Sequence, residues 1–410
     1  MGYFCRFRFN TRFCHIEYAI YRGCGGTGRH AGFRFQCRKA WGFDSLHPYH
    51  FNYATLFEII LKVNKKNYNI ALIGFGNVNR ALANIISSNP EKFRSELGFN
   101  ISIVAVSDIY LGSVYSPEGI DLALLNNLPI VGKAFASLPD GNAKADNENI
   151  IKNSNADIVI EATVTDSVTG QPATSHCRWA LTNGKHVSTT NKGPVAFAKK
   201  ELTDLALKNN VSFEYEGVVM SGTPVLRFAD KLMKGSEINK FTGIMNGTAN
   251  YVLGLVEQGQ AFKDAITHAQ QEGFAEADPS ADVEGKDVML KVIVLANHLW
   301  GTNLTQDDVK CEGISGLTET MVKEAVEEGQ HWKLIGKATR QDDGSIIASV
   351  APEKLNLLHP LGGINGVVNA VTLSSDMLGD VTISGPGAGR IETAYAILSD
   401  IIAMHQRGSI

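Results

Sequence analysis

The sequence predicts an α/β fold, in which a doubly wound parallel sheet over residues 67–220 is followed by a second, α+β domain over residues 221–384. Strand and helix signals alternate from Ile70 to about Glu216, which is typical of parallel sheets. A glycine-rich turn separates the first of these strands from the first helix. From Ser221 onward the alternation stops, and clustered helices are followed by clustered strands. These observations favour two domains of different construction.

Composition limits the class of protein. The chain has 410 residues, of which 44% are hydrophobic and 20% charged, as is ordinary for a globular protein of two or three domains. It contains no uncharged apolar stretch of roughly 18 residues, and its first residues lack the apolar segment of a secretory signal. Its six cysteines are not closely paired, which indicates a reducing compartment. We therefore expect a cytoplasmic protein that does not enter the membrane.

The first 66 residues differ from the rest of the chain. They contain 11 Lys and Arg against 3 Asp and Glu, and they hold 15 of the 34 aromatic residues. The remainder has a net charge of −12 and no basic stripe, which argues against nucleic acid as a partner. We predict neither strands nor helices in this leader, since it shows no clear periodicity and no zinc-ligand spacing.

The run GGTGRHAGFRFQCRKAWGFDSL in the leader resembles a tRNA gene translated as protein. We therefore expect an over-extended reading frame, with the true start between Leu56 and Lys66. A transit-like leader and a basic nucleic-acid arm are the alternatives. A native N-terminus near Met1, found by N-terminal sequencing, would contradict this expectation.

Two stretches fit the dinucleotide-binding pattern G-x-G-x-x-G. GCGGTG, Gly23 to Gly28, matches every position, whereas GFGNVN, Gly74 to Asn79, has asparagine as its last residue. Pyrophosphate binds such a loop where a buried strand enters it and a helix leaves it, because the helix N-terminus supplies free N–H groups. Only GFGNVN has both, since the strand-like NIALI precedes it and an apolar helix face follows. GFGNVN is therefore the predicted cofactor loop, and a tight turn without a ligand is the alternative.

The cofactor contacts predicted on this loop are Gly74, Phe75, Gly76, Asn77 and Val78. The next strand, ISIVAVSD, ends at Asp108, whose carboxylate is placed to accept hydrogen bonds from the adenosine ribose. Asn79 replaces the glycine that serves helix–strand packing, so we expect the first helix to lie slightly farther from its strand.

The remaining elements follow in order. Three more strands of the first sheet are predicted at DIVIE, KHVSTT and VSFEYE, and the helices between them at 173–183 and 199–209. In the second domain, helices dominate from Thr248 to about Gly329, with a long one near 285–299. Strands are then predicted at WKLIGKATR, SIIASVAP and GVVNAVTLSS, in a sheet covered mainly on one face. GPGAGR, Gly385 to Arg390, opens a final helix, and residues 385–410 are expected to return to the first domain.

The densest polar cluster is GFAEADPSADVEGKDVMLK, Gly273 to Lys291. Asp287 and Lys291 are four residues apart and share one face of a helix. The simpler interpretation is an exposed salt bridge worth a few tenths of a kcal/mol. The helix around the pair is mostly apolar, however, and an ion pair directed from such a helix into a cleft is typical of a functional site. Both interpretations stay open at this point.

A second lysine, Lys192, follows the strand KHVSTT at its C-terminal end. Open α/β sheets bind their ligands at that edge. Thr163 and Thr165 follow the preceding strand at the same edge. The turn around Lys192 is either a solvated loop or a contact with the cofactor.

Seven motifs stand in the order found in homoserine dehydrogenase, and the chain resembles that family from about Ile70 to Ile402. They are GFGNVN, DIVIEATVTD, HVSTTNKGPVA, YEGVVMSGTPVL, GIMNGTANYVL, GFAEADPSADVEGKDVMLK and GPGAGRIETA. The resemblance implies a Rossmann domain completed by the C-terminal helix, with a substrate and dimerisation domain between. It also implies reduction of L-aspartate 4-semialdehyde to L-homoserine with NAD or NADP, in threonine, methionine and isoleucine synthesis. The protein is then expected to be a homodimer that acts on a small molecule.

The resemblance assigns roles within the polar cluster. Glu276 and Asp287 match carboxylates that hold the α-ammonium group of the substrate, and Lys192 and Lys291 match lysines at the reacting carbonyl. A cation and a proton donor are needed there, because hydride transfer leaves a developing alkoxide. Whether Lys192, Lys291 or a bound water gives the proton is open.

The resemblance also implies contacts outside this cluster. Gly273 and Gly387 match backbone positions close to the nicotinamide end of the cofactor, and Thr163 and Lys192, at the edge of the sheet, are also expected to contact the cofactor. Some relatives bind a monovalent cation such as Na⁺, and the matching positions here are Glu216, Val219, Ser221 and Thr223. The chain ends one helix after GPGAGR, so we expect no threonine inhibition through an appended regulatory module. Because Asp108 should repel a 2′-phosphate, we expect a preference for NAD.

Two other functions compete with this one. Aspartate-semialdehyde dehydrogenase acts on the same aldehyde but requires a nucleophilic cysteine, for which Cys177 and Cys311 are the candidates. A non-catalytic dinucleotide sensor is the second alternative. Such a sensor would have no reason to keep Lys192, Lys291 and two carboxylates together.

Overall fold

The computed structural model describes residues 6–11, 14–19 and 66–410, in two compact units that divide at residue 65. In the first unit, strands β1 (Arg6–Thr11) and β2 (Cys14–Ala19) pair antiparallel. The expectation that the leader contains no strands is therefore wrong, because the alternation of arginine and phenylalanine in RFRF is a strand pattern that the prediction overlooked. The Gly23–Gly28 turn lies outside the described residues.

The second unit begins with a sheet of seven strands. In chain order they are β3 (Lys66–Ile73), β4 (Phe99–Asp108), β5 (Gly112–Tyr115), β6 (Gly141–Asn142), β7 (Ile158–Glu161), β8 (His186–Thr189) and β9 (Phe213–Glu214). Their spatial order is β6-β5-β4-β3-β7-β8-β9, and the five strands from β4 to β9 in that order are parallel. The predicted doubly wound parallel sheet is confirmed. The antiparallel edge strands β5 and β6 were not predicted.

Helices cover both faces of this sheet. They are α1 (Asn77–Ser88), α2 (Pro90–Lys92), which continues as a wider turn over Phe93–Leu97, α3 (Leu122–Asn126), α4 (Asn147–Asn153), α5 (Ala173–Thr182) and α6 (Lys192–Lys208), with a short 3₁₀ turn at Ala134–Ser137. Side chains alternate along a strand, so Ile70 and Leu72 of β3 pack in a core with α1. Ala71 and Ile73 pack in the opposite core with α5 and α6.

Two element boundaries differ from the prediction in ways that affect the site. Helix α6 begins at Lys192, seven residues before the predicted start, because the Asn191 side chain accepts the backbone N–H of Gly193 and caps the helix. The predicted strand VSFEYE is only two residues long, and Glu216 instead begins a 3₁₀ turn, Glu216–Val218.

The second sheet has six strands. In chain order they are β10 (Ile238–Ile244), β11 (Val309–Cys311), β12 (Gln330–Arg340), β13 (Ile346–Asn356), β14 (Val368–Ser375) and β15 (Gly379–Pro386). Their spatial order is β11-β13-β12-β10-β14-β15, antiparallel except for the β11–β13 pair. Strands β10, β11 and β15 were not predicted. INKFTGI and GDVTISGP contain glycine, proline and charged residues that weaken a strand pattern, and VKC is only three residues long.

The helices of this part pack mainly against one face of the second sheet. They are α7 (Val225–Arg227), continued as a wider turn over Phe228–Leu232, α8 (Gly247–Glu257), α9 (Phe262–Gln271), α10 (Ser280–Val283), α11 (Lys286–Trp300) and α12 (Glu319–Glu327), with a 3₁₀ turn at Gln306–Asp308. Their largest core joins α8 and α11 to alternate residues of β10, β12 and β14, such as Phe241, Leu334 and Leu373. A small cluster around Ile244 and Ile335 lies on the other face.

The last helix, α13 (Arg390–Gln406), packs against α1 of the first sheet. Its residues Ala394, Ile397, Leu398 and Ile401 belong to the same core as Ile70. Among the described residues, no helix is long and apolar enough to cross a membrane.

Candidate active site

Three charged side chains meet where α11 faces α6. Lys291 Nζ donates a hydrogen bond of 2.8 Å to Oδ2 of Asp287, and Lys192 Nζ lies 3.3 Å from Oδ1 of the same carboxylate. Lys291 is only 7% exposed, so the interpretation of the pair as an exposed salt bridge is excluded. The structure instead brings two lysines from different halves of the second unit onto one carboxylate.

The local sequence explains this placement. Gly285 adopts a left-handed conformation (φ 74°) that turns the chain into α11, so Asp287 lies in the first helical turn and Lys291 one turn later on the same face. Lys192 is the first residue of α6 and directly follows β8. Lys192 and Asp287 are therefore fixed in the first turns of their two helices, and Lys291 is fixed one turn further along α11.

Asn246 ties the charged cluster to a second carboxylate. Its Nδ2 donates to Oδ2 of Asp287 at 2.9 Å and to Oδ1 of Asp282 at 2.5 Å, while its Oδ1 accepts the backbone N–H of Ala249 and caps α8. Lys291 Nζ also donates to the carbonyl of Met245 at 2.6 Å. Asn246 was missed in the sequence, where it appeared only as one polar residue in GIMNGTANYVL.

The two carboxylates differ in acidity. Burial raises the pKa of Asp282, and Asn246 opposes that effect only in part. Burial also raises the pKa of Asp287, but the charges of Lys291 and Lys192 outweigh it and hold this pKa well below its ordinary value. Asp287 is therefore ionised at every pH at which the protein would work.

Glu276 is the predicted substrate residue that the structure does not bring into this cluster. It lies in the exposed loop between α9 and α10. The loop is held beside the N-terminus of α8, because Thr248 Oγ1 donates to the carbonyl of Phe274 at 2.6 Å. Asn246 caps that same N-terminus, so Glu276 is near the cluster in the fold while its side chain points to solvent.

The predicted cofactor loop joins β3 to α1 as expected. Gly74 has φ 80°, and a Cβ atom there would lie 2.8 Å from the carbonyl oxygen of Ala162, so only glycine fits. Gly76 is exposed with open space around it, and within the described structure no side chain caps the N-terminus of α1, which begins at Asn77. Phe75 is buried and Val78 half-buried. Free N–H groups of this kind are what a pyrophosphate requires.

Asn79 takes part in the same loop. It is 1% exposed, and its Nδ2 donates to the carbonyl of Gly74 at 2.6 Å. Asn79, which stands in place of the third glycine of the pattern, therefore donates a hydrogen bond to the turn at Gly74, the first glycine.

Asp108 lies beside the loop, where the sequence placed it. Its Oδ2 accepts the backbone N–H of Phe75 at 2.8 Å, and its Oδ1 accepts those of Tyr110 and Leu111 at 2.9 and 3.1 Å. A carboxylate can accept about four hydrogen bonds, so capacity remains for a ribose hydroxyl.

Thr163 connects the loop to the lysine cluster. The same Cβ atom on Gly74 would lie 3.2 Å from the Cα of Thr163, and the carbonyl of Thr163 accepts a hydrogen bond of 3.0 Å from Asn191 Nδ2. Lys192 follows immediately. The glycine turn, Thr163 and the Lys192–Asp287–Lys291 cluster therefore form one continuous edge.

The two glycines predicted at the nicotinamide end lie in different surroundings. Gly273 follows α9 in a left-handed conformation (φ 76°), is exposed and has open space around it. Gly387 is half-buried against Asn369, where a Cβ atom would come within 2.0 Å of the amide. Asn369 itself is fully buried, and neither polar atom of its side chain has a hydrogen-bond partner among the described residues.

The four residues of the predicted cation site are all buried. The carboxylate of Glu216 accepts the backbone N–H groups of Leu226 and Arg227, both at 3.0 Å, and burial raises its pKa to about 7. The hydroxyl of Ser221 bonds to that of Thr393 at 2.7 Å, and the hydroxyl of Thr223 donates to the carbonyl of Pro386 at 3.0 Å. Val219 is the fourth residue of the predicted cation site.

Neither candidate cysteine has the environment of a nucleophile. Cys177 is fully buried, and burial raises the pKa of its thiol well above the ordinary value. Burial also raises the pKa of the Cys311 thiol, which donates to the carbonyl of Glu284. A nucleophilic cysteine needs a lowered pKa, so the thioester mechanism has no support here.

Two family models match the chain. One, described as the NAD binding domain of homoserine dehydrogenase, matches residues 74–216, and one described as homoserine dehydrogenase matches residues 224–402. The chain is 55% identical over 339 residues to an NAD(+)-dependent homoserine dehydrogenase from Pseudomonas canavaninivorans, which covers 83% of this chain and 96% of the relative.

Solved structures agree with this similarity. A homoserine dehydrogenase from Thiobacillus denitrificans has a TM-score of 0.72 and 28% identity, covering 84% of this chain and 75% of that one. A hyperthermophilic archaeal homoserine dehydrogenase in complex with NADPH has a TM-score of 0.69 and 27% identity, covering 83% and 98%.

Proposed function

The chain belongs to the homoserine dehydrogenase family, and from this premise we propose how its own residues bind and reduce the substrate. It is an oxidoreductase that interconverts L-homoserine and L-aspartate 4-semialdehyde with a nicotinamide dinucleotide, in the synthesis of threonine, methionine and isoleucine. The dinucleotide supplies the hydride. The observation that supports our assignment of the other roles is the Lys192–Asp287–Lys291 cluster at the same edge as the Gly74 turn.

Lys291 is the group that stabilises the developing alkoxide and gives it a proton. An ammonium group has three N–H donors, and two of those on Lys291 are used by Met245 and Asp287. The third remains for the aldehyde oxygen of the substrate. Because the other two bonds fix Lys291 in place, its charge requires no reorganisation during the reaction.

Asp287 and Glu276 hold the α-ammonium group of the substrate. Asp287 is ionised and its side chain is 18% exposed, so one side of the carboxylate faces the cleft. Glu276 lies on the neighbouring exposed loop, from which it would reach the substrate by closure of that loop. Lys192, with a side chain 24% exposed, borders both the substrate and the cofactor.

Asp108 makes NAD the preferred cofactor. Its carboxylate is fixed beside the glycine loop by three backbone N–H groups, so it would face the 2′ position of the adenosine ribose with a negative charge. We expect a kcat/KM with NADH at least about tenfold higher than with NADPH, measured by absorbance with aspartate semialdehyde; a tenfold factor corresponds to roughly 1.4 kcal/mol.

Replacing Asp108 by serine should reduce that preference. Asp121→Asn is the matched control, since the Asp121 carboxylate likewise accepts backbone N–H groups, two in its case, but caps α3 instead of the glycine loop. The control should leave the NADH to NADPH ratio unchanged. An equal preference in the wild type, or a ratio that Asp108→Ser does not change, would contradict the assignment.

The residues Glu216, Val219, Ser221 and Thr223 fit a structural Na⁺ site. The carboxylates of Glu214, Glu216 and Asp400 form ion pairs with the guanidinium groups of Arg227 and Arg407. With three acidic groups against two basic ones, a monovalent cation would balance the charge of the third carboxylate when all three are ionised. Hard oxygen ligands suit such an ion. Within the described residues, no group of three or more His, Cys, Asp or Glu side chains could hold a metal, so backbone carbonyls have to contribute.

Sodium should therefore stabilise the fold. We expect a melting temperature higher in NaCl than in choline chloride of the same ionic strength, because an ion that binds only the folded state stabilises it. Equal melting temperatures would contradict a sodium site.

The chain acts as a homodimer in the cytoplasm. Two-fold symmetric dimers are the commonest oligomers of soluble proteins, and the second domain supplies the interface on this proposal. Light scattering should give the mass of two chains. A mass of one chain would contradict it.

A further inference from the structure

Glu161, at the end of β7, is a buried carboxylate beneath the edge that carries the reaction. It is 0% exposed, and within the described structure its one ion-pair partner is His176. Its Oε1 accepts the backbone N–H of Thr163 at 3.2 Å, the hydroxyl of Thr163, and Nδ1 of His176 at 3.4 Å. Its Oε2 accepts the hydroxyl of Thr189 at 3.2 Å. A buried carboxylate is unfavourable without such donors, and here four of them satisfy it.

The hydrogen bonds that reach Glu161 through His176 all run in one direction. Asp146 N–H donates to Ser107 Oγ at 3.1 Å, and the Ser107 hydroxyl donates to Asn147 Oδ1 at 2.6 Å. The amide nitrogen of Asn147 then lies 3.0 Å from Nε2 of His176. An amide nitrogen can only donate, so Nε2 accepts and Nδ1 carries the proton that points to Glu161. Each group donates a hydrogen bond to the next, and this series of hydrogen bonds ends on the Glu161 carboxylate.

The two oxygens of Glu161 hold the two loops that border the cofactor edge. Oε1 fixes Thr163 after β7. Oε2 fixes Thr189 at the end of β8, and Thr189 Oγ1 in turn accepts the backbone N–H of Asn191 at 3.1 Å. Asn191 caps α6 and bonds to the carbonyl of Thr163, so both loops are coupled and Lys192 is placed as a result.

We propose that Glu161 is a positioning residue for hydride transfer, which holds the Thr163 loop and the Thr189–Lys192 turn at a fixed separation beneath the reacting groups. The inference rests on the proposed roles of Thr163 and Lys192. Glu161 does not touch the substrate, and it acts through the two loops. A displacement of about 1 Å at such a site can reduce the rate on the order of a hundredfold.

Glu161→Gln tests the positioning role of Glu161 with little change in side-chain volume. One oxygen continues to accept from Thr163 and His176, whereas the other becomes an NH₂ group that can no longer accept the Thr189 hydroxyl. Thr189→Val breaks the same link from the other side. We expect each variant to lower kcat roughly tenfold or more, with the dissociation constant of NADH within about threefold of the wild type. Because both changes remove one link, the double variant should lose little more than either single variant.

Lys185→Met is the control for loss of stability alone. Lys185 is buried at the opposite end of β8, where Nζ donates to the carbonyls of Ser154 and Ala156. This variant should lower the melting temperature at least as much as Glu161→Gln and leave kcat within twofold. An unchanged kcat in Glu161→Gln, or an equal loss of kcat in Lys185→Met, would overturn the positioning role.

Lys192→Ala separates this inference from the proposed function. Impaired turnover in Lys192→Ala together with normal turnover in Glu161→Gln would overturn only the positioning role. Normal turnover in Lys192→Ala would overturn the proposed role of Lys192, and the inference about Glu161 with it.

Discussion

Lys291→Ala should reduce kcat for the reduction of aspartate semialdehyde by about three orders of magnitude, in the range found when an oxyanion donor or a general acid is removed. The ammonium group is held by Met245 and Asp287, and Lys291 as a whole is 7% exposed, so water cannot replace the ammonium group at the same position with the same charge. The glycine loop is unaffected by the change. NADH should therefore bind as it does in the wild type, and the loss should appear in kcat.

Lys286→Ala is the matched control for this prediction. Lys286 is also in the first turn of α11, but it is exposed and outside the cluster. Its removal should leave kcat within about twofold, as for most exposed charges. A Lys291→Ala enzyme that keeps more than about a tenth of the wild-type kcat would contradict the role of Lys291 and favour Lys192 or a bound water as the proton donor.

The sequence predicted the first domain well because its signals are local. A strand, a glycine turn and an amphipathic helix follow one another within about twenty residues, so the Gly74 loop is recognisable without any tertiary information. The four-residue spacing of Asp287 and Lys291 on a mostly apolar helix is an equally local signal, but by itself it left an exposed salt bridge and a functional site both open.

The contacts between distant segments could not be predicted in this way. Asn246 lies 36 residues before Asp282 and 41 before Asp287, and its role depends on how α8 packs against α11. Glu161 appeared in the sequence only as the last residue of DIVIE. Its four donors come from a loop, a helix and a strand, and such convergence is a property of the fold.

Elements at the edges of the two sheets were predicted least accurately, and several of them were missed. Strands β5 and β6 are short and antiparallel, and β15 contains two glycines and a proline, so none has the apolar run of a central strand. Helix α6 was predicted to start too late for a different reason. The Asn191 cap lies before a proline-containing turn, and the apolar helical pattern becomes clear only after it.

Asp287→Asn should impair both the stability and the activity of the enzyme. The change removes the charge that Lys291 and Lys192 share and leaves a nearly buried lysine facing a second cation. Removing one partner of a buried ion pair costs about 3–5 kcal/mol. We expect about 2 kcal/mol here, since the Asp287 side chain is 18% exposed and solvent screens part of the effect. In the assay, kcat/KM for homoserine should fall on the order of a hundredfold, because the α-ammonium group loses a carboxylate.

The pH dependence of the lost stability identifies its cause. The two lysines hold the pKa of Asp287 below its ordinary value despite burial, so the carboxylate stabilises the fold fully above the unfolded pKa of about 4. That stabilisation is lost as the pH falls below 4, toward the pKa of the folded state. The difference in melting temperature between wild type and Asp287→Asn should therefore be constant from pH 6 to 8 and shrink below pH 4. Glu284→Gln, an exposed change three residues away, should show no such difference. A difference that is independent of pH down to 3 would show that packing, rather than the shared charge, holds the two lysines in place.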